Sequence, residues 1–220
     1  AIEDCNAVYT GKRPQVAPAD EFSPFYPFEQ AYAQIEGFCS EHGKLLQEKI
    51  NPSTGEVTLS PLANFTPIIR EEITRDDGMD TRKELVIDAI STTGRVFPSA
   101  AVPAKSFAGM GWVTEKFGVE ANIYAGQNKR DQLRFAIQAA SVPGMERRTV
   151  YSHSGWRMID GTMCYLYNGG AIGKEGLSVE LEGNLAAYAL PDTGAPLAEA
   201  ISASRAFLDL GVLRVTAPLL

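Results

Sequence analysis

Several places in the chain bring reactive or charged side chains close together. Ser152-His153-Ser154 sets hydroxyls beside an imidazole, a pairing that activates a serine when a third group orients the base. No Gly-x-Ser-x-Gly elbow frames either serine, so a His153 that bonds the backbone at a hairpin end is the simpler expectation. Gly169-Gly170-Ala171-Ile172-Gly173-Lys174 has the glycines and lysine of a phosphate cradle, in which backbone N–H groups surround the anion. Yet Asn168 stands where such a loop needs its first glycine, and Glu175 where it needs the Ser or Thr that holds magnesium. Tight turns account for these glycines, with an anion or ligand loop as the alternative. Gly109-Met110-Gly111 lacks the third glycine of a dinucleotide fingerprint. Asp76, Asp77 and Asp80 crowd a turn, where acids bond their own backbone.

Positive charge is grouped in one place. Lys129 and Arg130 open a helical pattern in which Arg130, Arg134 and Gln138 recur every four residues and so share a face. Trp156 and Arg157 could stack on a base and contact a phosphate, and Lys174 lies beside the glycine-rich loop. Lys129, Arg130, Arg134, Trp156, Arg157 and Lys174 are therefore the candidate nucleic-acid contacts. The ordinary alternatives are a solvated helix face and a half-buried hairpin tryptophan. A net charge of −7 argues against a chain that coats nucleic acid, so any such contact needs a local patch. Cys5, Cys39 and Cys164 are odd in number and widely spaced, which suits reduced thiols; with only His42 and His153 beside them, no zinc spacing arises. Neither a metal nor a cofactor is expected. No run of about 18 apolar residues exists and the first residues lack a signal-peptide core, so a cytoplasmic, membrane-free protein is expected.

The elements that must position these groups can be read from pattern. The 220 residues are 45% hydrophobic, enough for a sizeable core. Pro14, Pro18, Pro24 and Pro27 predict an extended N-terminal arm over residues 1–34, docked through Phe22, Phe25, Tyr26 and Phe28. Short strands between Gly37 and Leu59 turn at Asn51–Gly55, and longer ones over 65–74 and 85–91 turn at Asp77-Gly78. Pro61 and Pro67 call for an edge or a bulge there. Phe107, Met110, Val113 and Phe117 predict a helix within 102–118 ending at Gly118, and a brief strand over 122–126 follows. Asn128 then caps a helix that buries Leu133, Ala136, Ile137 and Ala140. Asp160-Gly161 predicts a two-residue hairpin turn, pairing Ile159 with Thr162, Arg157 with Cys164 and Trp156 with Tyr165. Two strands over 177–190 and a last helix from Pro196 to about Leu210, with Leu197, Ile201 and Leu208 inward, complete the reading. The fold class is α+β, a mostly antiparallel sheet with three helices packed on it.

Taken in order, Asn64-Phe65, Asp76-Asp77-Gly78, Gly109-Met110-Gly111-Trp112, Ala125-Gly126, DQLRFAIQAAS, YSHSGWR, YLYNGGAIG and Tyr188-Ala189-Leu190-Pro191 carry a resemblance that no single motif does. Over residues 35–220 the chain resembles the domain of unknown function that precedes the helicase module in superfamily II helicase-like replication proteins of bacterial plasmids, phages and genomic islands. The resemblance implies a helicase-associated domain, a fragment of a longer ATP-dependent helicase whose own phosphate-binding loop lies outside this segment. It implies DNA, single-stranded rather than duplex, and the helicase module of the same chain as partners, with a homo-oligomer as a further one. No catalytic motif marks the segment itself. A module for helicase assembly through protein contacts, and a nucleotide-binding or hydrolytic domain, stand as the alternative functions.

Overall fold

In the computed structural model, which describes residues 8–9, 23–187, 189 and 197–209, the extended segments gather into three sheets. In chain order the elements are β1 (Val8–Tyr9), α1 (Tyr26–Ala33), β2 (Phe38–Glu41), β3 (Lys44–Ile50), β4 (Val57–Ala63), β5 (Phe65–Asp76), β6 (Thr81–Ser91), β7 (Ala100–Pro103) and α2 (Ala104–Phe107). After a π-helical turn at Val113–Phe117 come α3 (Lys129–Ser141), β8 (Glu146–Tyr151), β9 (Gly155–Ile159), β10 (Thr162–Tyr167), β11 (Gly170–Ile172), β12 (Ser178–Val179) and α4 (Leu197–Asp209). The sheets have the orders β1-β4-β3-β2, β12-β8-β5-β6-β7 and β11-β10-β9. All pairings are antiparallel except those of β8 with β5 and with β12. The fold is α+β, as the sequence pattern implies.

The main core lies between the central sheet and the helices. On α3 the expected stripe of Leu133, Ala136, Ile137 and Ala140 is buried against β4 and β5. Its C-terminal end is pinned: the Ser141 hydroxyl accepts from the Ile69 N–H at 2.8 Å and donates to the Ile137 carbonyl at 2.6 Å. A bulge in the β5–β6 ladder, with Arg70 as the extra residue between Ile69 and Glu71, follows directly. Pro67 is tolerated because β8 joins β5 only from Glu71 onward, which leaves the start of β5 an edge on that side. A second bulge, between Leu45 and Leu46 on β3, lies opposite Pro61.

Three expectations need correction. Residues 26–33 are helical rather than part of an extended arm, and they belong to the main core through Phe28 and Tyr32. Pro24 precedes α1 and Pro27 falls in its first turn, where a missing N–H costs nothing, while the i, i+4 aromatic pair supplies a buried stripe. Tyr32 is wholly buried and donates its hydroxyl to the Pro67 carbonyl at 2.6 Å. The rest of the expected arm, apart from residues 8–9, 23–25 and 34, lies outside the described residues.

The segment 102–118 is not one helix, although Phe107, Met110, Val113 and Phe117 are all buried as their spacing predicts. Met110 takes φ 56° between α2 and the π-helical turn, so a left-handed residue breaks the helix while keeping the apolar side chains inward. Finally, Ile201 on α4 is 45% exposed rather than buried; the side chains of Leu197 and Leu208 lie outside the described residues. α1, which was not among the expected helices, also packs on the sheets, against β2 and β5. Among the described residues of 177–190, β12 is the one strand, followed by a 3₁₀ turn at Gly183–Ala187.

Leu133→Ala should cost about 2–5 kcal/mol, as truncations in a close-packed core do. Tyr32→Phe should cost roughly 1–3 kcal/mol by leaving a buried carbonyl unpaired. Urea unfolding midpoints check both; a native midpoint in either variant would place that side chain outside the core.

Candidate functional site

The hairpin sheet is built as its sequence predicts. Asp160 and Gly161 both take positive φ, 49° and 78°, and the register pairs Ile159 with Thr162, Arg157 with Cys164 and Trp156 with Tyr165. Trp156 meets Tyr165 edge to face at 5.3 Å. Alternation then sorts the side chains onto two faces. Ile159, Cys164 and Leu166 turn inward and pack with Tyr151, Val179 and Leu181 in a second core cluster. Trp156, Met158, Met163 and Ile172 turn outward and are 69%, 58%, 51% and 54% exposed, with Tyr165 between them. Met158 lies opposite Met163, and Ile172 opposite Tyr165. The result is one apolar, aromatic sheet face open to solvent.

The other face of the hairpin is tied to the central sheet by charge. Arg157 donates to the Asp76 carboxylate at 2.6 Å and to the Gly78 carbonyl at 3.2 Å. Asp76 also accepts from the Gly78 N–H at 2.8 Å, and its carbonyl takes the Ser152 N–H at 2.8 Å. His153 lies in the same knot, with Nδ1 at 3.3 Å from the Asp76 carbonyl and its ring against Gly78. This is the backbone-bonded hairpin-end role that the sequence suggests for it, and neither flanking serine bonds the ring. Backbone N–H groups of Asp80 and Met79 hold the Asp77 carboxyl below the usual carboxylate range. Their support of the turn is therefore present at and above that range and fades as pH falls through the lowered value.

The candidate cations separate into two groups. Arg157 and Lys174 belong to the hairpin; Lys174 is paired with Asp160 at 2.6 Å, which raises the lysine and lowers the carboxyl. Gly169 and Gly173 shape the turns around β11, with positive φ of 95° and 103°. A Cβ on Gly173 would stand 2.7 Å from the Met163 carbonyl, so close backbone approach accounts for that glycine. Lys129, Arg130 and Arg134 lie at the other end of β5. Lys129 donates to the Pro61 carbonyl at 2.8 Å and stands 5.8 Å from the Tyr124 ring, and Arg134 pairs with Asp131 at 3.2 Å. Between the groups run the 12 residues of β5, roughly 35–40 Å of extended chain. The six candidates do not converge on one surface.

Arg130 instead lines a cleft of about 680 Å³ with Gly109–Gly111, Thr114, Asn122 to Gly126 and Asn128. Asn64 holds one wall: its side chain donates to the Glu120 carbonyl at 2.9 Å and accepts from the Asn122 N–H at 2.7 Å. Asn128 precedes α3 with φ 61° and makes no side-chain cap, contrary to the capping role expected of it. Among the described residues no three His, Cys, Asp or Glu side chains gather as a metal site, and no helix is long and apolar enough to cross a membrane.

No protein-family model and no curated protein matches the chain. Met158, Met163 and Ile172 were not candidates from sequence, although the hairpin register places them beside Trp156 and Tyr165. The signal was there in the alternation, since a strand with one face in the core must show the other.

Arg157→Ala should cost about 2 kcal/mol, less than for a fully buried pair because the arginine is partly exposed. Trp156→Ser should cost about 1 kcal/mol or less, the scale of one cross-strand contact. Chemical denaturation of both variants checks the contrast, and a larger loss for Trp156→Ser would show that the outer face supports the fold.

Proposed function

We propose that the chain is the accessory domain N-terminal to the motor of a mobile-element DNA replication helicase, and that it positions the motor through the outer face of the β11-β10-β9 sheet. The family resemblance supplies the setting, which is cytoplasmic and bacterial. The observation that carries the mode of action is the run of exposed apolar side chains Trp156, Met158, Met163, Tyr165 and Ile172. Contiguous apolar surface of this kind marks contact sites, and tryptophan, tyrosine and methionine are the residue types that protein interfaces favour. No cation belongs to this outward set. Arg157 is turned to Asp76 and Lys174 is held by Asp160, so the charges that would track a phosphate backbone beside it are already paired.

The charge distribution supports protein contact over DNA contact on a wider scale. Arg75 and Arg148 are absorbed in a ladder with Glu71, Glu84 and Glu180 across the central sheet. Strand engagement by stacking on Trp156 and Tyr165 is the reading to be separated by experiment, because exposed aromatics also bind single strands. It predicts binding that weakens steeply with salt.

The test uses a Trp156→Ser/Met163→Ser variant, with affinity for the separately produced motor module and anisotropy of labelled single-stranded and duplex DNA at two salt concentrations. The double variant should lose motor affinity by about tenfold or more, the loss expected when interface anchors worth over 1.4 kcal/mol go. Native affinity in the variant would sink the proposal. Loss of salt-sensitive single-strand binding with motor affinity intact would establish the DNA reading instead.

A further inference from the structure

The cleft beside α3 joins parts of the chain that its sequence keeps apart. Gly109–Gly111, the loop from Asn122 to Gly126 and the first turn of α3 all line it, although they span more than one element boundary. At about 680 Å³ it falls in the range of pockets that hold small organic ligands rather than bare ions. Two of its residues, Met110 and Asn128, take left-handed φ without being glycine, at 56° and 61°. Such conformations cost free energy and persist where the surroundings enforce them.

Its charge is unlike that of the rest of this acidic chain. Arg130 is exposed and lines the cleft, and its guanidinium has no hydrogen-bond or ion-pair partner among the described residues. Lys129 lies across Gly126, where an added Cβ would come within 2.9 Å of the lysine side chain. Its bond to the Pro61 carbonyl fixes the ammonium in place without neutralising it. Lys44 approaches the same Tyr124 ring at 5.9 Å. Lys129 and Lys44 stand against Tyr124 and do not themselves line the cleft; the charged residues that do are Arg130 and Asp131, and Asp131 is already paired with Arg134.

We propose that this cleft binds a small ligand through a phosphate monoester, with Arg130 as the direct contact. A monoester carries close to two negative charges at neutral pH and offers several strong acceptor oxygens, which suits a forked guanidinium that no carboxylate already holds. The same group occurs on a free mononucleotide and at the 5′ end of a nucleic-acid strand. The inference is independent of motor positioning, since the sheet face lies at the far end of β5.

Calorimetric titration of the whole chain distinguishes the cases. The probes are AMP and adenosine, and an oligodeoxynucleotide with and without a 5′-phosphate. Binding of AMP but not adenosine identifies a free nucleotide as the source; preference for the 5′-phosphorylated strand over its unphosphorylated form, without AMP binding, identifies a strand end. Arg130→Ala should weaken the phosphorylated probe by about tenfold or more, the worth of one hydrogen bond to a charged group. Gly111→Leu should do the same by filling the cleft, because a Cβ there meets open space and leaves the backbone undisturbed. Trp156→Ser should keep native affinity. The proposal is overturned if no phosphorylated probe binds, if removal of the phosphate leaves affinity unchanged, or if either folded cleft variant stays within about twofold of native, a difference under 0.5 kcal/mol.

Discussion

The Asp76 carboxylate, nearly buried at the end of β5, is the point on which the two halves of the molecule depend. It receives Arg157 from the hairpin and the N–H of Gly78 from the turn into β6, while its own carbonyl receives Ser152 after β8. A carboxylate so withdrawn from water needs a cation and several donors together, and each donor comes from a different segment. The hairpin sheet can therefore take one orientation against the central sheet. With its inner face committed to Ile159, Cys164 and Leu166, its outer face must be presented to solvent.

That arrangement separates structural charge from available charge. Arg75 and Arg148 of the central sheet answer Glu71, Glu84 and Glu180, and such ladders stabilise a surface modestly while removing it as a phosphate track. The two ends of β5 differ in character. One end offers apolar and aromatic surface whose neighbouring cations are paired; the other offers a polar cleft lined by Arg130, which no carboxylate answers.

The open start of β5 links the cleft end to the core. β8 pairs with β5 only from Glu71, and the Ser141 hydroxyl takes the Ile69 N–H, which fixes where α3 ends on the sheet. With that end fixed, the first turn of α3 must fall beside Pro61 and the loop at 122–126. The position of Arg130 follows from packing about three turns away, not from its own neighbours in sequence.

Local chemistry by itself determined the parts of this protein whose geometry is set within a few residues. The Asp160-Gly161 turn and its register, the α3 stripe, the long β5–β6 hairpin and the turn role of Gly173 all follow from backbone preference and side-chain alternation. The N-terminal arm was misread because proline content outweighed the Phe28 and Tyr32 pair, which only a sheet to pack against makes decisive. The break at Met110 was equally hidden, since left-handed backbone at a non-glycine residue is imposed by tertiary packing. Charge was the least legible quantity of all. Lys129, Arg130, Arg134, Arg157 and Lys174 look alike in sequence, and only the folded chain decides which of them meets a carboxylate, because those partners lie as far as 81 residues away.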